Sequence, residues 1–85
     1  MASYSVLIKA SAAKELEDLP QKEIRRISRK VQRLGDEPRP PGCEKLTGGN
    51  RYRIRQGDYR VVYSVDDARA EVIVFKVGHR RDVYR

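Results

Sequence analysis

The chain has 85 residues, room for one small domain, 1–85, with a thin core. It carries 19 Lys and Arg against 12 Asp and Glu, a net charge of +7, with 36% charged and 39% hydrophobic residues. That balance is too apolar for a disordered tail and too charged for a membrane protein, and no apolar run approaches the roughly 18–20 residues of a membrane span. One cysteine, Cys43, excludes an intramolecular disulfide framework, and one Cys with one His excludes a structural zinc site built from those ligands. No metal and no cofactor is expected. The first residues lack the basic-then-apolar pattern of an export signal, and with a free thiol this predicts the cytoplasm. The positive charge predicts a polyanionic partner, nucleic acid first and an acidic protein second.

Residues 3–9 predict a short strand, with Tyr4, Val6 and Ile8 on one face and Leu7 on the other. Ser11 is positioned as the N-cap of a helix of about two turns, with Ala12, Leu16 and Leu19 on one side. Pro20 ends that pattern and opens a second helix of about 14 residues, where its missing N–H costs nothing. Ile24, Ile27, Val31 and Leu34 form its apolar stripe. Gly35 is the expected residue just past its end, with Pro38 beyond. Residues 35–50 read as a loop with Leu46 as its core anchor.

Three strands follow, over 51–55, 59–65 and 70–77, the last apolar on both faces as a central strand is, with Gly78 ending it. The predicted order is β-α-α-β-β-β. Helices that precede a meander imply an α+β fold: a mostly antiparallel twisted sheet with a helical hairpin on one face and the other face partly open.

The chemistry-bearing pattern is in the strands. In Arg51-Tyr52-Arg53-Ile54-Arg55, alternation sends the three arginines to one face and Tyr52 and Ile54 to the other. A tight turn at Gln56-Gly57-Asp58 lets Arg60 join the arginine face. Clustered like charges repel unless water or an anion screens them. The row therefore reads either as a solvated strand guarded against aggregation or as a polyanion site, since guanidinium groups match phosphate oxygens. Beyond Gly78, His79, Arg80, Arg81 and Tyr84 leave the same edge of the sheet. His79 has an unperturbed pKa of about 6.5. Tyr84 starts near about 10, and nearby cations lower it. Each of the two, taken alone, also reads as a structural residue. The second helix carries Lys22, Arg25, Arg26, Arg29, Lys30 and Arg33, either a solvated face or a phosphate-docking one. Cys43 reads as part of a connector.

The elements Tyr52-Arg53-Ile54-Arg55, Asp58-Tyr59-Arg60-Val61-Val62-Tyr63 and Val77-Gly78-His79-Arg80-Arg81-Asp82-Val83-Tyr84 resemble the RelE/ParE superfamily of bacterial toxins, along essentially the whole chain. The resemblance implies the toxin of a toxin–antitoxin pair, with a cognate antitoxin, the ribosome and mRNA as partners, no membrane, and a toxin–antitoxin hetero-oligomer. RelE-type members are ribosome-dependent endoribonucleases that cut mRNA in the A site without a metal. The ribose 2′-OH attacks the adjacent phosphate, leaving a 2′,3′-cyclic phosphate and a 5′-OH. Carried over residue by residue, the catalytic positions fall on Arg53, Arg55, Arg60, Arg80 and Tyr84, with His79 beside them. From their charge rather than from the resemblance, Arg51, Arg81 and Arg85, and Arg26, Arg29, Lys30 and Arg33 of the helix, are read as RNA contacts.

Family members often carry Lys where this chain has Arg53 and Arg55. Arginine holds a phosphate and stabilises transition-state charge but takes no proton. The base is then Tyr84 as phenolate or neutral His79, and the other of the two, or Arg80, serves the leaving oxygen. Two rival readings share the fold or the charge: a ParE-like poison of DNA gyrase that cuts nothing, and an RNA-binding module without catalysis.

Overall fold

In the computed structural model, which describes residues 3–83, the elements in chain order are β1 (Ser5–Ile8), α1 (Ala10–Glu17), α2 (Gln21–Arg33), β2 (Glu44–Lys45), β3 (Arg51–Gln56), β4 (Tyr59–Asp66) and β5 (Glu71–His79). The five strands form one sheet in the order β1-β5-β4-β3-β2. β1 lies parallel to β5, and every other neighbouring pair is antiparallel. The α+β class and the two-helix, strand-rich order match the sequence expectation. The additions are β2, a two-residue strand inside the expected loop, and the parallel position of β1 on the far edge.

Both helices lie on one face of the sheet, α1 over β5 and α2 over β3. Ile27, Val31 and Leu34 of the α2 stripe are buried with Ala12 against Ile54, Val61, Tyr63, Val65, Val72, Val74 and Val77. Alternation directs Ile54, Val61, Tyr63, Val65, Val72 and Val74 to the helix side, and Val77 joins them after a shift in the β4–β5 register. Burial of this apolar surface is the main source of stability in a domain of this size. β4, rather than β5, is the middle strand, and Arg60 to Val65 are buried on both of its faces. No helix among the described residues is long and apolar enough to cross a membrane.

Three local expectations are corrected. Ser11 lies inside α1, whose N-cap is Lys9 without a side-chain cap. The helix starts earlier because Lys9 is tied to the sheet, its N–H donating to the Val74 carbonyl at 3.0 Å. Gly35 is not a left-handed cap: it is absent from the residues with positive φ. It is needed for close approach, since a Cβ there would come within 3.1 Å of the Tyr4 carbonyl oxygen and 3.3 Å of Val6 Cγ2. Leu46 is half-buried and outside the core cluster, whereas Cys43 packs against that cluster. The loop is held by the Tyr63 hydroxyl, which donates to the Pro38 carbonyl at 2.7 Å. Burial pushes the Tyr63 pKa up, well above the usual phenol value.

Candidate nucleic-acid interface

The register builds the open face in rows. Arg55 pairs with Arg60 and Arg60 with Gly78; Arg53 pairs with Val62 and Val62 with Lys76; Arg51 pairs with Ser64 and Ser64 with Ile73. Paired residues share a face. Arg51, Arg53, Arg55 and Arg60 therefore stand together, opposite the helices. Lys76 stands among them, a cation that the strand pattern alone did not single out.

The turn that brings Arg60 here has two residues, Gly57 and Asp58, with Gly57 at φ +59°. A hairpin turn with positive φ at its first position favours glycine there. Arg60 is only 9% exposed. Its Nη1 donates to the carbonyls of Gly57 at 3.1 Å and Tyr59 at 3.0 Å, so backbone oxygens rather than a carboxylate receive it. Burial, and then the charges of Arg55, Arg53 and Arg80, lower its pKa below the ordinary guanidinium value. Arg80, on the turn after β5, thus belongs to the same electrostatic cluster. A desolvated cation ringed by cations is a strong attractor for an anion.

Glu44 was missed by sequence reasoning, and it occupies part of this face. It is the cross-strand partner of Arg53. Arg53 Nη2 donates to its Oε2, and Arg55 Nη2 donates to its Oε1 at 3.0 Å. One carboxylate thus spans two guanidinium groups, the geometry a phosphate would adopt. A two-residue strand has no periodicity to read, so only an acidic residue near the strand's edge hinted at it.

The tail folds back on the open side. The Arg80 N–H donates to the Asp58 carbonyl at 2.8 Å, and the N–H groups of Asp82 and Val83 donate to the His79 carbonyl at 2.8 and 3.2 Å. Val83 is buried, with a methyl 3.5 Å from where a Gly78 Cβ would stand. Gly78 does not end the strand: β5 runs through it to His79. That extension sets the side His79 takes. It pairs with Tyr59, on the helix side, and its ring meets the Tyr59 ring edge-on at 5.8 Å between centroids. Its Nδ1 accepts the Arg81 N–H at 3.2 Å. His79, expected beside the arginine positions, therefore stands on the other side of the sheet. Arg81 is exposed on the turn, and Tyr84 and Arg85 lie outside the described residues.

The basic residues of α2 belong to the opposite layer. Lys30 Nζ donates to the Arg55 carbonyl at 2.6 Å, a tie between helix and sheet, and Arg26 pairs with Glu23. Arg29 and Arg33 are exposed. Arg39, also missed, holds Asp67 with two hydrogen bonds, at 3.2 and 2.8 Å, and donates to the Tyr52 hydroxyl at 2.9 Å. With Tyr4 donating to Asp67, this cluster locks the loop to the sheet and holds the Asp67 carboxyl below its usual pKa, chiefly through Arg39. No group of three or more His, Cys, Asp or Glu among the described residues is placed to hold a metal ion.

Residues 6–84 match the family described as ParE toxin of type II toxin-antitoxin system, parDE. The chain is similar to "Toxin RelE" of Mycobacterium tuberculosis, with 34% identity covering 96% of this chain and 87% of that toxin. It is similar to "Toxin RelG" of the same organism, with 30% identity covering 96% of this chain and 97% of that one. Its fold is similar to that of RelE in the archaeal RelE–RelB complex from Pyrococcus horikoshii, with a TM-score of 0.80 and 32% identity, covering 94% of this chain and 98% of the other. With both helices, β2 to β5 and all but the first residue of β1 inside the matched region, the chain belongs to the RelE/ParE superfamily and is a RelE-like toxin of the type II toxin–antitoxin class.

Proposed function

We propose that the chain is a ribosome-dependent endoribonuclease that cleaves mRNA in the A site by attack of a ribose 2′-OH on the adjacent phosphate. The observation that carries this reading is Arg60, a nearly buried guanidinium held among Arg53, Arg55 and Arg80. A purely binding surface gains little from desolvating a cation, whereas a site that must stabilise charge developing on a pentacoordinate phosphorus gains a great deal. Arg53 and Arg55 bind the phosphate when it displaces Glu44, and Arg60 and Arg80 meet the transition-state charge.

No arginine takes the 2′-OH proton. The groups available for that transfer are the Tyr84 phenolate and the Glu44 carboxylate, which is already seated against two of the arginines. His79 is directed to the other side of the sheet. No step requires a metal or a cofactor.

The archaeal RelE was solved bound to RelB. For this chain we propose likewise a cognate antitoxin whose acidic residues neutralise the arginine face, as Glu44 does within the chain. An acidic, partly disordered segment that orders on binding suits such a surface.

The test is mapping of mRNA 5′ ends in a translation reaction, beside a gyrase supercoiling assay. New ends at A-site codons with unaffected gyrase support the proposal. Inhibited gyrase with intact mRNA supports the gyrase-poison reading instead.

A further inference from the structure

Strict alternation back from Val77, on the helix side, sends Phe75 into the core. It does not go there. The β4–β5 register shifts between Val62 and Tyr63: Val62 pairs with Lys76 and Tyr63 with Val74, which leaves Phe75 as the extra residue of a bulge. Bulges re-aim side chains. This one turns Phe75 to the arginine face, where the Arg51 guanidinium lies over its ring at 4.3 Å and Lys9 Nζ at 4.5 Å. Neither cation takes part in an ion pair among the described residues. Arg51 is exposed, and a planar guanidinium backed by an aromatic ring offers a flat, rigid surface to solvent.

We infer that Arg51, supported by Phe75, is a nucleobase-stacking platform that receives the base next to the phosphate held by Arg53, Arg55 and Arg60. The inference rests on the RNA reading of the arginine face. Bases stack on aromatic rings and on arginine planes in single-stranded RNA recognition. Arg51 precedes Arg53 by two residues on the same face, roughly 7 Å along the strand. That separation suits a phosphate in the arginine cluster and its neighbouring base on the platform. A bare charge at position 51 would not need the bulge; a stacking surface needs the ring behind it.

The experiment is fluorescence anisotropy at low salt with a labelled RNA pentanucleotide and with an abasic strand of the same sugar–phosphate length. The parental protein binds the base-bearing strand about 5- to 160-fold tighter. Arg51→Lys keeps the charge and loses the plane, and Phe75→Leu keeps apolar bulk and loses the ring. Both variants bring the two strands to near-equal affinity with an unchanged salt slope, while Phe75→Tyr keeps the preference. Arg55→Ala weakens both strands alike. A preference that survives in Arg51→Lys overturns the platform and leaves the arginine face as the phosphate site; Arg51→Lys decides the point if Phe75→Leu does not fold. If neither strand binds the parental protein at low salt, the RNA reading of this face fails and the platform with it.

Discussion

Replacing Arg60 with methionine separates stability from function. Methionine keeps an unbranched apolar stem of similar reach and removes the charge. Arg60 is 9% exposed and stands against Arg55, Arg53 and Arg80. Two unit charges about 7 Å apart repel by about 0.6 kcal/mol in water and about 2.4 kcal/mol at an effective dielectric of 20. Against that relief stands the loss of the hydrogen bonds to the Gly57 and Tyr59 carbonyls, about 0.5–1.5 kcal/mol each and shared by one nitrogen. The Gly57 carbonyl regains water, because Gly57 is exposed; Tyr59 is half-buried, so its carbonyl carries most of the remaining cost. The account therefore predicts that Arg60→Met is as stable as the parental chain or more stable by about 1 kcal/mol, a rise of about 4–8 °C in Tm. Urea unfolding followed by circular dichroism measures this at low salt and at about 1 M, where screening shortens to about 3 Å and the gain shrinks. Cleavage falls by about 10²–10³-fold, as for the loss of one transition-state donor. A loss of more than about 1 kcal/mol at low salt would refute the reasoning and make Arg60 a structural keystone.

Glu44→Gln removes the carboxylate that occupies Arg53 and Arg55, so RNA binds more tightly and the salt slope steepens by about 1.4 if each freed arginine takes one phosphate; filter binding across a salt series checks this, and stability changes by less than about 1 kcal/mol because Glu44 and Arg55 are about half-exposed, although Arg53 is more buried. Single-turnover cleavage by the same variant shows whether Glu44 also carries the proton. Tyr63 holds its proton more tightly folded than unfolded, so its contribution is complete below the unfolded phenol value of about 10 and is lost as pH rises above it. Unfolding at neutral and alkaline pH then shows Tyr63→Phe weaker by about 0.5–1.5 kcal/mol near neutrality, and less sensitive than the parental chain above pH ~10. Tyr84→Phe lowers single-turnover cleavage by at least about 10²-fold with binding nearly intact, and His79→Ala costs less. The parental rate in Tyr84→Phe with an inactive His79→Ala reverses that assignment.

The parts of the fold that obey a period were legible. The Ile27, Val31 and Leu34 stripe and the alternation of Arg51, Arg53 and Arg55 are each set by local geometry, so helix, strand and arginine face followed directly. The parts set by pairing were not. Whether His79 faces the arginines depends on β5 continuing one residue past Gly78, and a shift of one residue reverses every side. Phe75 turns outward through a bulge that exists only against β4, and Glu44 reaches Arg53 and Arg55 through two residues of strand inside a proline-rich loop. Gly35 is required by the approach of Tyr4 and Val6, a contact between segments far apart in the chain.

The most direct test is single-turnover cleavage on programmed ribosomes with an mRNA that carries a 2′-deoxy nucleotide at the mapped cleavage position, beside the all-ribose mRNA and the Arg60→Met variant. The account predicts that the ribose message yields a 2′,3′-cyclic phosphate and a 5′-OH, that the deoxy message stays whole, and that Arg60→Met is at least about 10²-fold slower on the ribose message. Cleavage of the deoxy message at the same position, or 5′-phosphate ends on the ribose one, would contradict it.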